Sequence, residues 1–456
     1  MKKRYFERKL FDLPPKLRRA CGNGSVRSVQ RQVEKERLLK RELEKPFEPV
    51  FRFAVASDLH IEGPDRPCHA DRLTGLFRSA YRYADAHPSY RNLDAVLFVG
   101  DVVNSGTEEE YECLLRVIQE QKRDGTRIIS VMGNHEYHKL GHEGYVRYME
   151  EPLEKHVVLG GYHFIGLSTD PIDTWHTLRQ VRWLRRELKN AAADGGKKPI
   201  FTMQHGHIWK TVYVSRSWYT QMSLLLHLVY SRYPQIVNFS GHSHGPINHP
   251  LTVWQKRYTL FGTGTLSFFE MERDICDTTT PDGCDQAAQY LIVELDRNDR
   301  IRVMPYNILT DDFMRAPATD EHAGSQLIYQ INTPWDRDSF VYTAERRKTD
   351  PPPVFAPDAA IGVSRNETEA ITVCFPQARS PVCVYGYRVV AAPVGRSDRD
   401  AVTREIYSDF YLEPTPETCT CTLCGLKPQT EYEIRVIPLN VWRTEGEPLI
   451  ARCFMQ

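Results

Sequence analysis

Short apolar runs that predict buried strands recur along the first two thirds of the chain, and most of them end directly in glycine or in residue types that bind metals. These runs and the residues after them are 51–57 before Asp58, 95–99 before Gly100-Asp101, 127–132 before Gly133-Asn134-His135, 199–203 before His205, and 236–239 before Gly241-His242. Segments with helical periodicity separate the runs, at 72–86, 108–123, 180–188 and 222–230. This alternation predicts an α/β fold whose polar residues collect at the carboxyl edge of a sheet.

Five polar segments follow the predicted strands, in the order Asp58-Leu59-His60, Gly100-Asp101, Gly133-Asn134-His135-Glu136, His205 and Gly241-His242-Ser243-His244. Each segment alone has an ordinary structural interpretation, since Gly-Asp and Gly-Asn dipeptides are common in turns. Their joint occurrence favours a metal site, and carboxylates, imidazoles and an amide oxygen suit Mn, Fe, Zn or Ni better than Ca or Mg. Two such ions close together supply the nucleophile and the charge neutralisation that hydrolysis of a phosphate ester needs.

The five segments resemble the motifs of the calcineurin-like metallophosphoesterases, over residues 50–305. The resemblance implies a four-layer α/β/β/α sandwich with two metal ions. It assigns Asp58, His60 and His244 to the first ion, Asp101 as the bridge, and Asn134, His205 and His242 to the second. A metal-bound hydroxide would attack phosphorus, and His135 would be catalytic by stabilising the transition state or protonating the leaving oxygen.

Two positions in these segments leave alternatives open. His205 is favoured over His207 as the ligand because it lies closer to the strand end, so His207 becomes a supporting residue or a substrate contact. Asn104 stands where some branches of the family carry an Asp that orients the catalytic histidine. Because an amide has no charge, the sequence does not determine how His135 is held.

The aromatic segment after His205 has two interpretations. Tyr213, Arg216 and Trp218 either line the substrate cleft or pack internally. Purple acid phosphatases place a metal-binding Tyr within the segment that corresponds to 100–104, and no Tyr is present there. The resemblance therefore does not extend to that subclass.

Length and composition limit the remaining possibilities. A chain of 456 residues exceeds the size at which one core stops growing, so two folded domains are expected. Lys and Arg number 59, as do Asp and Glu, so overall charge indicates no partner. Eleven Cys favour reduced thiols over a disulfide framework. No apolar run reaches the length of a signal peptide or a spanning helix, which predicts a cytoplasmic location.

The N-terminal extension, residues 1–49, is the one basic segment. Residues 1–46 carry 15 Lys or Arg against 6 Asp or Glu, and 26–43 have a thin apolar stripe at helical spacing. A solvated arm or a helix packed on the enzyme body is favoured over attachment to nucleic acid or to a membrane surface.

The C-terminal region predicts a separate β-sandwich. The catalytic domain is placed at 50–316, a Pro-rich linker at 317–356 and the sandwich at 357–456, with strands at 370–375, 384–390, 407–412, 419–423, 432–437 and 449–453. The segment from Leu426 to Tyr432 resembles the fibronectin type III pattern, with Tyr432 as its tyrosine corner and Phe375 in place of a common Trp. Strand alternation turns Cys419 and Cys421 inward and Cys424 outward, which argues against a metal cluster.

The resulting functional prediction is a dinuclear metal-dependent hydrolase of a small phosphomonoester, phosphodiester or nucleotide. One alternative is a protein phosphatase that docks its target on the C-terminal sandwich. The segments after Gly-Asp and Gly-Asn-His argue against it, because they lack the Arg typical of phosphoprotein phosphatases. The other alternative is a nonenzymatic scaffold, which the complete ligand set disfavours. No nucleic-acid or membrane partner is indicated, and protein contact would be through the sandwich.

Overall fold

The computed structural model describes residues 23–169, 176–275, 279–316, 325–367, 369–395 and 400–455. The α-helices are α1 (Asn23–Leu43), α2 (Pro67–Ala86), α3 (Glu108–Gln121), α4 (Gly141–Met149), α5 (Leu178–Gly195) and α6 (Ser223–Tyr230). The region that the sequence predicts to be catalytic, called the catalytic region below, has the strands β1 (Pro49–Ala56), β2 (Ala95–Val99), β3 (Arg127–Val131), β4 (Glu154–Leu159), β5 (Tyr162–Leu167), β6 (Ile200–Gln204), β7 (Ile236–Ser240), β8 (Val253–Gln255), β9 (Thr259–Gly262), β10 (Gln289–Asp296), β11 (Ile301–Asn307), β12 (Asp312–Phe313) and β13 (Tyr329–Ile331). The C-terminal strands are β14 (Gly362–Glu367), β15 (Ala370–Pro376), β16 (Val384–Pro393), β17 (Val402–Tyr407), β18 (Thr418–Cys424), β19 (Thr430–Asn440) and β20 (Leu449–Met455).

Two mixed sheets form the catalytic region. One has the order β12-β11-β10-β1-β2-β3, with β13 paired to β11, and the other has the order β4-β5-β6-β7-β9-β8. Strands β1, β2 and β3 are parallel to one another, as are β5, β6, β7 and β9. Because parallel strands end at a common edge, the residues that follow β1, β2 and β3 meet there.

The two sheets pack face to face through an aromatic core. The ring of Phe53 on β1 lies 5.4 Å from Phe164, 4.9 Å from Phe201 and 6.0 Å from Phe239 across the interface. Helices α2, α3 and α4 cover the outer face of the first sheet, and α5 and α6 cover that of the second. The predicted four-layer α/β/β/α arrangement is confirmed, since each sheet buries one face on the other and one on helices.

Helix α1 packs on the catalytic body. Gln32 Nε2 donates to the carbonyl of Val341 at 2.8 Å, and Lys35 Nζ donates to that of Phe340 at 3.1 Å. At the other end, Arg302 Nη2 donates to Leu43 O at 3.2 Å. The helix predicted in the basic extension thus exists and is held along its length. Within the described ranges, no helix combines the length and apolarity that crossing a bilayer requires.

The segment predicted as a linker contributes to the catalytic region in part. Strand β13 pairs antiparallel with β11, and Tyr342 is buried in the core between the sheets. Asp350 accepts a hydrogen bond from Trp442 Nε1 at 2.6 Å, which ties the segment to the sandwich. The boundaries 1–49, 50–316, 317–356 and 357–456 remain predictions.

The C-terminal region is an antiparallel sandwich of a three-stranded sheet, β14-β15-β18, and a four-stranded sheet, β17-β16-β19-β20. This confirms the predicted all-β sandwich. Cys419 and Cys421 are buried and Cys424 is exposed, as the alternation predicts. Cys276 lies outside the described residues.

One predicted strand of the sandwich is wrong. The strand is Val402–Tyr407, whereas 408–412 form a turn whose Phe410 and Tyr411 pack against the catalytic region. The apolar residues of 407–412 pack against the catalytic region, and their spacing resembles that of a buried strand. Strand β14 was not predicted because its sequence, GVSRNE, is mostly polar.

Tyr432 forms the predicted tyrosine corner. Its ring is buried, and its hydroxyl accepts a hydrogen bond from Lys427 N at 2.8 Å. In Tyr432→Phe the Lys427 N–H loses this partner, and we expect unfolding free energy of the sandwich to fall by about 1 kcal/mol. Chemical denaturation followed by fluorescence measures the change. An unchanged midpoint and slope would contradict the role of this bond.

Candidate metal centre

The loops after the strands bring together six of the seven predicted metal ligands and His135. Side-chain ligand atoms lie within 4.8 Å of one another in three overlapping groups, namely Asp58 with His60 and His244, His60 with Asp101 and His135, and Asp101 with His205 and His242. Asp101 and His60 each belong to two of the groups. The groups place Asp101 beside His60, predicted for the first ion, and beside His205 and His242, predicted for the second, as a bridging ligand would require. The carboxylates and the imidazoles of His60, His205 and His244 are almost completely shielded from solvent.

The backbone at these positions is in an unusual conformation. Five candidate ligands have positive φ: Asp58 (52°), His60 (46°), Asp101 (50°), His242 (69°) and His244 (49°). Residues other than glycine seldom adopt this region, because Cβ crowds the backbone. Such strain persists where the surrounding structure enforces it, and it concentrates at functional sites.

Two motif glycines allow the loops to approach each other. Gly100 has φ of 88°, and a Cβ there would collide with the ring of His205. At Gly133 a Cβ would collide with the carboxylate of Asp101. The glycines before Asp101 and Asn134 are therefore required, because another predicted ligand packs closely against the backbone of each.

Hydrogen bonds fix the orientation of three imidazoles. His205 Nδ1 lies 2.8 Å from Val99 O, and His244 Nδ1 lies 2.9 Å from Phe268 O. His60 Nδ1 lies 3.1 Å from Asn104 Oδ1. Because these oxygens only accept, each Nδ1 carries the hydrogen. The neutral rings of His60 and His244 therefore present the lone pair of Nε2, whereas His205 Nε2 faces Asp101 Oδ2 at 2.9 Å.

These lone pairs point into the centre. His60 Nε2 and His244 Nε2 face each other at 3.2 Å, and in the neutral rings neither can donate to the other. Asn134 Oδ1 is buried and accepts no hydrogen bond from the described residues. Buried acceptors without a donor are unfavourable, and a cation bound at the two imidazoles would satisfy their lone pairs. The residues present therefore fit a metal ion.

Burial controls protonation in the centre. It lowers the pKa of His60 to about 4, and it lowers the pKa values of His242 and His244 well below their ordinary value, so these imidazoles are neutral at pH 7. Burial also opposes protonation of His205. The Asp101 carboxylate, with Oδ2 at 2.9 Å from His205 Nε2, outweighs it and raises the pKa of that imidazole to about 10.

The structure answers how His135 is held. Its Nδ1 donates to the backbone carbonyl of Asn104 at 2.6 Å, and its backbone N–H donates to Asp101 Oδ1 at 2.9 Å. The Asn104 side chain binds His60 instead. The main-chain carbonyl of Asn104 therefore orients His135, the role that the resemblance gives to an Asp side chain in some branches of the family. The side-chain amide of Asn104 orients His60, a predicted ligand.

The other imidazole near His205 has a supporting position. His207 is buried, with Nδ1 at 2.7 Å from Ser240 Oγ and Nε2 at 2.7 Å from Ser243 Oγ. Both of its ring nitrogens are engaged beneath the loop that carries His242 and His244. His205, by contrast, lies in the ligand group with Asp101.

Sequence reasoning gave no role to Glu136, although it lies within the third segment. Its side chain is completely buried; Oε2 accepts from Gly133 N at 2.7 Å, and Oε1 accepts from the N–H groups of Val102 and Val103. It thus ties the loop after β2 to the loop after β3. An acidic residue directly after the His of the segment was the available signal.

The residues of the aromatic segment after His205 differ in position: one packs internally and another lies beside the centre. Tyr213 is buried and stacks on His249 at 3.8 Å between centroids, so it is a packing residue. The ring of Trp218 lies 4.8 Å from that of His242, beside the centre, and Arg216 is exposed.

The C-terminal sandwich contacts the loop between β9 and β10. Tyr385 Oη donates to Asp274 Oδ1 at 2.8 Å, Tyr407 Oη donates to Glu272 O at 2.5 Å, and Tyr411 Oη donates to Asp282 O at 2.9 Å. The same loop supplies Phe268 O, the acceptor that orients His244. No local sequence pattern indicates this connection.

The two packed sheets carry converging carboxylate and imidazole groups of the kind that bind transition metals. Residues 51–246 match the calcineurin-like phosphoesterase family, and the chain therefore contains a calcineurin-like phosphoesterase domain. A comparison with curated protein sequences gives no match.

Several solved structures are similar to the chain. Purple acid phosphatase PPD1 from seeds of yellow lupin (Lupinus luteus) is 11% identical, with 59% of this chain and 54% of that chain covered and a TM-score of 0.43. This chain spans about half the length of that phosphatase. PhoD is 13% identical, with 64% and 71% covered and a TM-score of 0.38. The fn3 domain of human contactin 1 is 21% identical, with 23% and 84% covered and a TM-score of 0.18.

Proposed function

We propose that the protein is a dinuclear metal-dependent hydrolase of phosphoric esters. The observation that carries this proposal is the pair of imidazole lone pairs, His60 Nε2 and His244 Nε2, facing each other at 3.2 Å next to buried carboxylates. Asp58, His60 and His244 would hold one ion, and Asn134, His205 and His242 the other, with Asp101 between them. The mixed nitrogen and oxygen donors suit Mn, Fe, Zn or Ni.

Ions bound there supply a water nucleophile at neutral pH and neutralise charge on the phosphoryl oxygens. The chain's own residues perform the remaining tasks. Glu136 and the hydrogen bonds from Nδ1 of the ligand imidazoles keep the loops in place, so little reorganisation is needed when substrate binds. The sandwich supports the wall of the centre through its contacts to 272–282.

His135 is the group that we assign to proton transfer. Because its Nδ1 hydrogen is committed to Asn104 O, its Nε2 carries a proton only as the imidazolium ion. In that form Nε2 can donate to a phosphoryl oxygen or to the leaving oxygen. Its ring is only half-buried, which leaves it accessible to substrate.

Turnover of simple esters tests the proposal. Purified protein with added Mn²⁺ is assayed on p-nitrophenyl phosphate and bis-p-nitrophenyl phosphate, and metal content is measured in parallel. We expect hydrolysis of at least one ester, and the ratio of the two rates gives the preference for mono- or diester. Bound metal without turnover of either ester would overturn the proposal.

His135→Ala separates catalysis from metal binding. We expect turnover to fall about 100-fold, which is the lower end of the range of rate losses for a proton-transfer residue. The loss is small because p-nitrophenolate is a good leaving group that needs little protonation. Metal content should stay the same, since His135 is not among the proposed ligands. Steady-state kinetics and elemental analysis measure both quantities. His87→Ala, at an imidazole that follows α2 and lies outside the ligand groups, is the control. Metal loss in His135→Ala would refute the assignment.

A further inference from the structure

A groove of about 720 Å³ lies between helix α1 and the edge strand β8. Six cationic side chains line it: Arg27, Arg31, Lys35, Lys210, Lys256 and Arg337. The acidic residue in its lining is Glu345, and Lys348 binds that carboxylate at 2.7 Å. The groove is therefore strongly positive, although the formal charge of the whole chain is zero.

Three of these cations form a row on α1. Arg27, Arg31 and Lys35 are spaced four residues apart, which places them on one face, where like charges repel. Arg27 and Arg31 are exposed, and neither forms an ion pair with the part of the chain that the structure describes. Burial lowers the pKa of Lys35 and Arg31 adds to this effect, whereas Asp338 and Asp336 oppose it. An anionic partner would relieve this repulsion.

Exposed aromatic rings connect the groove to the metal centre. Lys210, in the groove lining, has Nζ 3.8 Å from the ring centroid of Trp209. Trp209 is 47% exposed, and its ring lies 6.2 Å from that of Tyr219, which is 42% exposed. Tyr219 directly follows Trp218, whose ring touches His242. Two side-chain contacts, from Lys210 to Trp209 and from Trp209 to Tyr219, thus lead from the cations to the residue next to Trp218, which lies beside a proposed ligand.

We propose that the groove and the Trp209–Tyr219 pair bind single-stranded nucleic acid and direct one of its phosphodiester bonds to the metal centre. Proteins bind single strands by this combination of a positive groove for phosphates and exposed rings on which bases stack. A concave groove admits a strand, whereas a bilayer surface cannot enter it. The inference rests on the proposed hydrolase function and specifies its substrate class.

Binding is measured by fluorescence anisotropy with labelled oligothymidylate and oligouridylate, on the full chain in the presence of EDTA. The double variant Arg27→Ala/Arg31→Ala keeps helix propensity, because Ala is the best helix former. We expect about tenfold weaker binding, and a salt dependence whose slope falls by about 1.4, since each phosphate contact on a single strand contributes about 0.7. The two oligonucleotides distinguish DNA from RNA.

The matched control is Arg185→Ala/Lys189→Ala, an exposed cationic pair with the same spacing on α5. It should bind as the unchanged protein does. Trp209→Ala should weaken binding about tenfold through lost stacking. Because binding is measured without metal, loss of hydrolase activity would not affect it.

Three results would overturn the inference. The first is that no oligonucleotide binds, and the second is that the two double variants bind oligonucleotide with equal affinity. The third is that the protein binds phosphatidylserine vesicles and not oligonucleotide, and that Arg27→Ala/Arg31→Ala abolishes the vesicle binding. Turnover of bis-p-nitrophenyl phosphate together with any of these would leave the hydrolase proposal intact.

Discussion

Asp101→Asn is expected to lower kcat/KM on the p-nitrophenyl esters by about 1000-fold or more and to reduce metal content. Substitution of residues that merely orient metal ligands already costs about 10–100-fold. Asp101 lies beside predicted ligands of both ions, His60 on one side and His205 and His242 on the other. The carboxylate also accepts the backbone N–H of His135 and faces His205 Nε2 at 2.9 Å. A neutral amide keeps the shape of the side chain but removes the negative charge that the two proposed cations would share.

The matched control is Asp124→Asn, the same chemical change in an exposed turn after α3. It should keep both metal content and activity. Circular dichroism checks that Asp101→Asn is folded, which separates loss of the centre from loss of the fold. Full activity with full metal content in Asp101→Asn would refute the bridging role.

Arg52→Met is expected to destabilise the catalytic region by about 3–5 kcal/mol. Arg52 is completely buried on β1, opposite Glu294 on β10, with Nε and Nη2 each 2.7 Å from Glu294 Oε1. Its Nη1 donates to the carbonyls of Tyr90 and Asn92. Removal of the guanidinium leaves a buried carboxylate without its counter-ion.

At about 2 °C per kcal/mol for a domain of this size, the melting temperature should fall by roughly 6–10 °C. Thermal unfolding followed by circular dichroism measures it. The double variant Arg52→Met/Glu294→Leu should recover most of the loss, because an apolar pair needs no counter-ion. Arg123→Met, which breaks an ion pair about half exposed on both sides, is the control and should cost no more than about 1 kcal/mol. Equal effects at Arg52 and Arg123 would contradict the argument.

Local sequence was sufficient to predict the ligand-bearing loops. Strands β1, β2, β3, β6 and β7 end close to the predicted positions, because a run of buried apolar residues has to stop where the chain turns toward polar side chains. Asp58, Asp101 and His205 follow such strand ends directly. Their meeting could therefore be expected from the sheet edge alone.

Features that depend on contacts distant in sequence could not be predicted. The carbonyl of Phe268 orients His244 across 24 residues, and the tyrosines of the sandwich contact 272–282 from more than a hundred residues away. The wrong strand at 407–412 has the same origin. Its apolar residues contact another domain, and their spacing in the sequence is the same as that of residues buried in a sheet.

The sequence by itself determined the α/β class, the strand ends that carry the ligands, and the sandwich with its buried Tyr432, because each follows from periodicity or from a short motif. Tertiary structure decided how the predicted ligands are oriented. The side chain of Asn104 binds His60 while its main-chain carbonyl binds His135, and both ring nitrogens of His207 are hydrogen-bonded to serine hydroxyls. It also decided where the basic helix lies. Hydrogen-bond direction and the neighbours of a charge depend on distances between segments far apart in the chain, and only the folded chain sets those distances.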